Sequence, residues 1–481
     1  MKASQVRESE LRKAGVVGRS DKMGRIAVVI GGTGMAACQL APHLADDFTG
    51  KDAFDKVAVL ALGVNEETFK GKSKRAITPL KGANLNDAKT IAASLREAGC
   101  EQVTHVYWFL DANRPPKLGH TVELRQVMTV VTDNLRGVVK PIINATPETL
   151  KSKMYGQLAY LAGSGEQPKN IEWLNNVMSA LDEVKAPLAN FTMCHGGKHY
   201  GMHLGPALFP DYATPFEEDK HKCHGPLSYF EMQEWLEAKA AEKKFAWNIV
   251  RPTFIIGNAI EKTNTTQSFG LVLSIYANVL KAQGRPLVFP GPVGAWNARI
   301  QLSTSAKIAH VAAWASTNSV AGLRKFAMLP DVAERYGDPA YRATANQAFN
   351  VVSCPEFSWG EIWEQIARYF GMQSGGAPTT MGGMLAMDVM GGEQAAAREW
   401  RQMQRNHDLQ KLTFNEVFNA DFLDKSFTST WDSQFSTDKI TKARFPEDQV
   451  MESDALSIMT DFFDSLKRDK LIPAEDERKS R

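Results

Sequence analysis

Two short stretches of the sequence contain the residues best suited to proton transfer. The first, residues 190–201, runs from an apolar segment into a glycine-rich turn and carries Lys198 just beyond a predicted strand. The second, residues 226–236, predicts a helix with Tyr229 at its start. An ammonium near a phenol favours proton donation from the hydroxyl towards a developing oxyanion. We therefore predict Lys198 and Tyr229 as a catalytic pair.

The spacing of this pair is unusual. In the common short-chain reductase pattern the lysine lies four residues after the tyrosine, on the same helix face. Here that position is Gln233, so the lysine must come from elsewhere, and Lys198 is the natural candidate. Two alternatives stay open at this point: Tyr200 is the acid instead of Tyr229, or Lys198 is an ordinary surface lysine.

A glycine-rich turn near the start of the chain predicts nucleotide binding. The apolar run Ile26–Ile30 is typical of a buried parallel strand. Gly31, Gly32 and Gly34 follow it directly, and residues 35–44 have helical spacing. A strand, a glycine turn and a helix in this order bring backbone N–H groups to a pyrophosphate. The alternative is a purely structural turn between a strand and a helix.

The second predicted strand, residues 56–62, bears on the choice of cofactor. NAD-binding sites usually carry an acidic residue at the end of this strand, and it is missing here. Glu66 and Glu67 come slightly late. A basic set follows that can reach a 2′-phosphate: Lys70, Lys72, Lys74 and Arg75. We therefore expect NADPH as the cofactor in preference to NADH.

The remaining pattern predicts an α/β fold of the Rossmann type. Further strands are predicted over residues 75–80, 103–110, 188–193, 246–256 and 348–352, with helices between them. This alternation indicates a doubly wound parallel sheet, in which ligands bind outside the carboxyl ends of the strands. We expect the cofactor to contact these residues: Gly31, Gly32, Thr33, Gly34, Met35, Asn84, Leu85, Leu110, His195, Tyr229, Pro252 and Ile255.

The chain is long enough for this domain and a second lobe. We predict an N-terminal arm over residues 1–24 and a nucleotide-binding domain over 25–257, with a helical insertion at about 115–170 that is clearest at 122–139. Residues 258–481 are predicted to form a smaller, mainly helical substrate-binding lobe with a frayed C-terminal tail. Within it, residues 373–400 are rich in Gly, Met and Ala, which predicts a mobile cap or a long loop.

Composition excludes several classes of protein. The net charge of +2 gives no sign of a nucleic-acid partner. The first 22 residues lack the apolar core of a secretory signal, and no run of about 18 apolar residues predicts a membrane span. The five cysteines form no CxxC pair, which favours reduced thiols and a cytoplasmic location. The partner is expected to be a small molecule, and a homodimer stays open.

Histidines around the first stretch raise the alternative of a metal site. His195, His199 and His203 are four residues apart, as on one helix face. The intervening glycines make a continuous helix improbable, so we expect no metal.

Several motifs together resemble one known family. They are Gly197-Lys-His-Tyr-Gly201, Leu204-Gly-Pro206, 214–219 (TPFEED), 103–107 (VTHVY) with 112–114 (ANR), 247–252 (WNIVRP), and 347–350 (QAFN) followed by Trp359. The chain resembles the progesterone 5β-reductase/iridoid synthase-like family, atypical members of the extended short-chain reductases. The resemblance extends over roughly residues 25–370 and becomes weaker towards residue 470.

This resemblance implies a reaction. Members use NADPH to reduce the C=C bond of an α,β-unsaturated carbonyl compound, with hydride going to the β-carbon. The tyrosine and the lysine hydrogen-bond the enolate oxygen, and Tyr229 and Lys198 match those positions. The implied substrate is an enone or enal. Two alternatives remain: a carbonyl/alcohol oxidoreductase or sugar-nucleotide epimerase-like enzyme, and a non-catalytic NADP-binding regulatory protein.

The chain also departs from the family pattern. Ala37 replaces a glycine, and the usual basic residues straight after the second strand are missing. His195 stands where a threonine is usual, and Asp111 replaces an aromatic residue. Only Tyr229 remains of two adjacent tyrosines, with Ser228 before it. The physiological substrate therefore does not follow from the resemblance.

Overall fold

The computed structural model describes residues 25–46, 54–111, 168–209, 211–223, 227–258, 268–319, 344–379 and 383–474. Three predictions lie outside these residues: the N-terminal arm, nearly all of the helical insertion with its helix at 122–139, and the end of the C-terminal tail.

The centre of the structure is a parallel β-sheet of seven strands in the order β3-β2-β1-β4-β5-β6-β9. The strand order reverses between β1 and β4, which is the switch point where open α/β sheets bind ligands. A second, two-stranded parallel sheet pairs β7 with β8. The strands are β1 (Ile26–Ile30), β2 (Lys56–Leu60), β3 (Ile77–Pro79), β4 (His105–Trp108), β5 (Asn190–Cys194), β6 (Ala246–Pro252), β7 (Phe254–Ile256), β8 (Leu302–Thr304) and β9 (Gln347–Val351).

Helices cover both faces of the large sheet. The described α-helices are α1 (Leu40–Ala45), α2 (Ala88–Glu97), α3 (Pro168–Glu183), α4 (Gly205–Leu208), α5 (Ser228–Lys243), α6 (Phe269–Ala282), α7 (Val293–Asn297), α8 (Ser305–Thr317), α9 (Trp359–Tyr369), α10 (Ala386–Val389), α11 (Glu393–His407), α12 (Phe414–Val417), α13 (Ala420–Ser426), α14 (Asp438–Lys442) and α15 (Ala455–Arg468). Short 3₁₀ helices span Gly197–Tyr200 and Glu447–Gln449.

Alternate residues of β1 show how the two layers form. Val28 and Ile30 pack into a core with helices α2, α3 and α5. Ala27 and Val29 pack into the opposite core with α1 and α8. Side chains of a strand alternate between its faces, so a strand that is buried on both faces has to be apolar throughout. The predicted doubly wound fold is confirmed.

The segment after the glycine turn differs from the prediction of a helix over 35–44. Helix α1 begins only at Leu40. Before it, the N–H groups of Gly34, Ala37 and Leu40 each donate to the carbonyl three residues earlier. The Met35 carbonyl accepts from the Ser305 hydroxyl at 2.6 Å, so that carbonyl is engaged by another part of the chain. The result is a series of tight turns instead of α-helix.

The predicted strand over 246–256 is divided at Thr253. Pro252 ends β6, and the Thr253 N–H donates to the Ser303 hydroxyl at 2.9 Å. Proline has no N–H to continue the ladder of β6. The chain therefore turns into β7, and Ile255 lies opposite Ser303 in the second sheet.

The C-terminal region has its own apolar core, built mainly on α6, α9, α11 and α15. The prediction of a long loop over 373–400 is wrong from residue 386 onwards, because α10 begins at Ala386 and α11 at Glu393, whereas the alternative of a mobile cap stays a prediction. Ala396 and Trp400 of α11 are buried, and the Trp400 indole donates to the Leu412 carbonyl at 2.8 Å. Strand β9 follows residue 257 yet belongs to the large sheet, and the division of the chain at that residue stays a prediction.

Within the described residues, no helix has both the length and the apolar character needed to cross a bilayer.

Gly31 offers a test of how tightly the first turn is built. Its φ is +78°, and a Cβ there would lie 2.7 Å from the Phe109 carbonyl oxygen. Gly82 has a similar φ of +71° with no atom within 4 Å of such a Cβ. Both Gly→Ala changes cost about 1–2 kcal/mol for left-handed backbone. Gly31→Ala should cost a further 1–3 kcal/mol, roughly, for the clash.

Thermal unfolding of Gly31→Ala and Gly82→Ala measures the difference. Equal unfolding temperatures for the two variants would show that the close approach of Gly31 to Phe109 is not a constraint.

Candidate active site

Most of the predicted site residues lie at one edge of the large sheet. Strands β1, β4, β5 and β6 are parallel neighbours, and their carboxyl ends meet at this edge. The glycine turn follows β1, Leu110 and Asp111 follow β4, His195 follows β5, and Pro252 ends β6. Parallel pairing therefore brings together residues that are more than 200 positions apart in the sequence.

The glycine turn forms a close-packed cradle. The Gly31 N–H donates to the Leu60 carbonyl at 2.9 Å. A Cβ on Gly32 would lie 2.9 Å from a methyl carbon of Val59, and Thr33 is buried. Glycine is required where the backbone is this close to its neighbours. The turn therefore leaves little room for side chains at Gly31 and Gly32, and its binding of a pyrophosphate stays a prediction.

Two predicted cofactor residues, Asn84 and Leu85, lie in the loop after β3. The Asn84 N–H donates to the Thr90 hydroxyl at 3.0 Å, and the Leu85 carbonyl accepts from the Asn176 amide at 2.8 Å. These bonds fix the backbone of the loop. The Asn84 side chain accepts from Asn86 and is exposed.

Tyr229 is the second residue of helix α5 and is partly buried. A Cβ on Gly196 would lie 3.5 Å from the Tyr229 hydroxyl and 3.8 Å from the Pro252 carbonyl. Burial raises the pKa of Tyr229 well above its ordinary value, and the Asp111 carboxylate adds to the rise. The hydroxyl is therefore protonated at neutral pH and positioned between the ends of β5 and β6.

Lys198 lies in the 3₁₀ helix Gly197–Tyr200, two residues after Gly196. The Lys198 carbonyl accepts from the Gly201 N–H at 3.0 Å and from the Cys223 thiol at 3.4 Å. Gly201 ends the turn in left-handed backbone, with φ +76°. The backbone of Lys198 is thus fixed close to Gly196, the residue that lies against the Tyr229 hydroxyl.

Gln233 occupies the position where the common short-chain reductase pattern has a lysine, and its side chain binds an arginine. Its side-chain oxygen accepts from the Arg251 guanidinium at 3.2 Å. Arg251 is 2% exposed and also donates to the Tyr200 hydroxyl and to the Glu218 carbonyl, both at 3.2 Å. Arg251 therefore binds groups inside the fold, as expected of a buried guanidinium.

Tyr200 belongs to the same buried network. Its hydroxyl donates to the Asn350 side-chain oxygen at 2.6 Å, and its ring stacks on Phe216. The Asn350 N–H in turn donates to the Glu218 carboxylate at 2.7 Å. A hydroxyl with two partners in the core is poorly placed to protonate a ligand, and Tyr229 stays the predicted acid.

His195 packs against the predicted acid. Its ring is stacked on the Tyr229 ring, with centroids 4.6 Å apart and planes within 3°. Burial, together with the Arg251 charge, holds the pKa of His195 well below its ordinary range. The imidazole is therefore neutral. The sequence marked His195 as a departure from a familiar pattern, but nothing in it indicated this stacking.

The basic residues after β2 have different environments. Lys70 pairs with Glu67 at 2.8 Å, and Lys81 pairs with Glu66 at 2.7 Å. The Arg75 guanidinium donates to the Phe54 carbonyl at 3.1 Å. Of the four predicted phosphate ligands, the side chains of Lys70 and Arg75 thus have partners within the protein, and the assignment of Lys72 and Lys74 to a phosphate stays a prediction.

No group of three or more His, Cys, Asp or Glu residues is arranged for metal binding in the part of the chain that the structure describes. His199 packs edge-on against Tyr200 and Phe230.

Fold and site together define a Rossmann-type protein with a glycine-rich turn at the switch point of its sheet. The model of the PRISE-like Rossmann-fold domain matches residues 155–473, which is well over half of the chain. The chain belongs to this family, and the resemblance predicted from the motifs is confirmed. The match extends further towards the C-terminus than the motifs indicated, and it begins after the glycine turn.

Curated relatives are similar at low identity. An (S)-8-oxocitronellyl enol synthase of Camptotheca acuminata is 28% identical over 206 residues, covering 42% of this chain and 45% of the relative. A 3-oxo-Delta(4,5)-steroid 5-beta-reductase of Arabidopsis thaliana is 27% identical over 253 residues, covering 52% and 56%. A short chain dehydrogenase of Penicillium aethiopicum is 24% identical over 315 residues, covering 62% and 73%. The first two matches span about half the length of the relatives.

Replacing Arg251 by methionine tests the buried network. The change removes three hydrogen bonds and leaves Glu218 buried without the nearby charge. We expect the free energy of unfolding to fall by about 3 kcal/mol. Arg398, which is exposed and pairs with its neighbour Glu399, is the control. Arg398→Met should change it by less than about 0.5 kcal/mol.

Urea unfolding of both variants gives the two values. Similar losses for Arg251→Met and Arg398→Met would contradict the role assigned to the network.

Proposed function

We propose that this protein is an NADPH-dependent reductase of the C=C bond in α,β-unsaturated carbonyl compounds. The observation that carries the proposal is the position of Tyr229: a protonated hydroxyl lies beside Gly196 at the switch-point edge, while Gln233 removes the helix lysine of ordinary carbonyl reductases. Lys198, two residues after Gly196, is then the nearby source of a cation. Membership of the PRISE-like family supports the same reaction class.

The residues at this edge fit a dinucleotide. Gly31, Gly32, Thr33, Gly34 and Met35 would hold the pyrophosphate, because this turn follows β1 directly and added Cβ atoms on Gly31 and Gly32 would clash with neighbouring atoms. The basic set after β2, Lys72 and Lys74 above all, would bind the 2′-phosphate that distinguishes NADPH from NADH.

The other predicted cofactor residues follow the remaining strands. Asn84 and Leu85 would contact the cofactor after β3, and Leu110, His195, Tyr229, Pro252 and Ile255 would surround the nicotinamide. When bound, the reduced cofactor supplies the hydride for the β-carbon of the substrate.

The two catalytic residues act on the substrate oxygen. Hydride addition to the β-carbon moves an electron pair onto the carbonyl oxygen and produces an enolate. The Tyr229 O–H and the Lys198 ammonium donate hydrogen bonds to that oxygen, and a proton from solvent water then adds at the α-carbon, which gives the saturated carbonyl compound. Hydrogen-bond donors that are fixed before the reaction stabilise such charge without reorganisation. Because Tyr229 keeps its proton at neutral pH, it is available as a donor over the physiological range.

The substrate is proposed to be a small enone or enal. Asp111 makes this end of the site more polar than an aromatic residue would, which favours substrates that carry a hydroxyl group near the enone. A cytoplasmic location and a homodimer stay predictions.

NADPH absorbance measured with 2-cyclohexenone and, separately, with cyclohexanone tests the reaction class. The proposal predicts oxidation of NADPH with the enone and little with the saturated ketone. Consumption with the ketone alone would favour a carbonyl oxidoreductase, and cofactor binding without any turnover would favour a regulatory protein.

Variants of the two catalytic residues test their roles. Tyr229→Phe and Lys198→Met each remove one donor to the enolate oxygen, so kcat should fall by about a hundredfold. The dissociation constant of NADPH should stay within about twofold, since a twofold change is well under 1 kcal/mol. Lys220→Met is the control, because Lys220 is exposed and pairs with Glu217.

Steady-state kinetics with 2-cyclohexenone and a fluorescence titration of NADPH provide both readouts. Unchanged kcat in both catalytic variants would show that the site lies elsewhere.

A further inference from the structure

His195 is held in place by the sheet and by a ring contact. Its N–H donates to the Val250 carbonyl at 2.9 Å, which extends the pairing of β5 with β6 by one residue. Its side chain is 4% exposed and lies flat on the Tyr229 ring. The orientation of the imidazole is therefore set by backbone pairing on one side and by an aromatic face on the other.

The two ring nitrogens of His195 have no hydrogen-bond partner among the residues that the structure describes. Buried polar atoms in folded proteins are nearly always hydrogen-bonded, because leaving them unpaired costs stability. A neutral imidazole offers one N–H donor and one acceptor. Two unpaired nitrogens on a buried ring at a ligand-binding edge therefore indicate that a ligand completes the bonding.

The position of His195 beside Tyr229 restricts which chemical group of a ligand can hydrogen-bond the imidazole. In the proposed function, the nicotinamide and the carbonyl end of the substrate both lie beside Tyr229. The nicotinamide carboxamide and the enone each present a carbonyl oxygen, which accepts a hydrogen bond from an N–H group.

We propose that His195 is a specificity-determining residue whose ring N–H donates to a carbonyl oxygen of the ligand bound beside Tyr229. The inference rests on the proposed function and adds a third donor to the site. This carbonyl belongs either to the nicotinamide carboxamide or to the enone, and the experiment below distinguishes the two. Lying flat on Tyr229, the imidazole also limits how the tyrosine ring can move.

Three substitutions separate the ring nitrogens from the stacked ring. His195→Phe keeps an aromatic ring on Tyr229 and removes both nitrogens. His195→Asn and His195→Gln remove the ring and return an amide N–H near the position of Nδ1 or Nε2 respectively. NADPH affinity is measured by fluorescence titration, and kcat and KM are measured with 2-cyclohexenone.

His195→Phe should weaken one interaction by about three- to tenfold, as expected for one uncharged hydrogen bond. Weaker NADPH binding with an unchanged KM for the enone identifies the carboxamide. A higher KM with unchanged NADPH affinity identifies the enone carbonyl. In either case, one of the Asn and Gln variants should recover to within about twofold of the wild type, and the other should not.

Wild-type affinity and kinetics in His195→Phe would overturn the inference. So would equal losses in all three variants, since that pattern indicates a packing role alone. Thermal unfolding identifies any variant that does not fold. If His195→Phe fails to fold, the Asn and Gln pair still decides, because the inference requires them to differ by about threefold or more.

Failure of the proposed function gives a different result. A wild-type protein that binds NADPH but reduces no enone contradicts that function, while the affinity comparison still tests His195. A wild-type protein that reduces enones, with His195→Phe unchanged, contradicts the inference about His195 alone.

Discussion

A guanidinium buried in the interior must be satisfied by its neighbours, and in this protein Arg251 imposes that constraint. Its partners come from three separate segments: Tyr200 in the 3₁₀ helix, Glu218 in the following loop, and Gln233 in helix α5. Arg251 itself lies in β6 of the large sheet. One side chain therefore fixes the turn that carries Lys198 and the helix that carries Tyr229 relative to the sheet that bears the glycine-rich turn.

This arrangement explains how the structure accommodates glutamine in place of a lysine at position 233. Gln233 lies one helical turn after Tyr229, where it binds Arg251 from within the fold. A lysine there would bring a second cation next to a buried guanidinium, which is unfavourable. The cation proposed for the reaction comes instead from the turn after β5. The glutamine at position 233 thus serves the buried network, and the lysine of the proposed catalytic pair is Lys198.

Much of the fold could be predicted because it depends on local patterns. Apolar runs such as Ile26–Ile30 have to be strands buried on both faces, and Gly31 directly after such a run has to form a close turn. The predicted doubly wound parallel sheet followed from strands alternating with helices. The late start of α1 could not be predicted, because it depends on the Met35 carbonyl being bound by Ser305, 270 residues away. The division of the strand at Thr253 likewise depends on Ser303.

The candidate site shows the same limit. Lys198 and Tyr229 could be named from residue type and motif, whereas the stacking of His195 on Tyr229 depends on how β5 meets α5. The approach of Asp111 to Tyr229 depends on the pairing of β4 with β5. The sequence did predict that Gln233 lies on the same helix face as Tyr229, since the two residues are four positions apart. The partner of Gln233, however, lies on a strand whose position the sequence does not give.

The proposed site directs hydride to the β-carbon of the enone and holds the resulting negative charge on the carbonyl oxygen. The most direct measurement is the position of the label when 2-cyclohexenone is reduced with NADPH that carries deuterium at the transferable position of the nicotinamide. The account predicts cyclohexanone with deuterium on the β-carbon, detected by NMR. An allylic alcohol with deuterium on the carbon that bears the hydroxyl would contradict it.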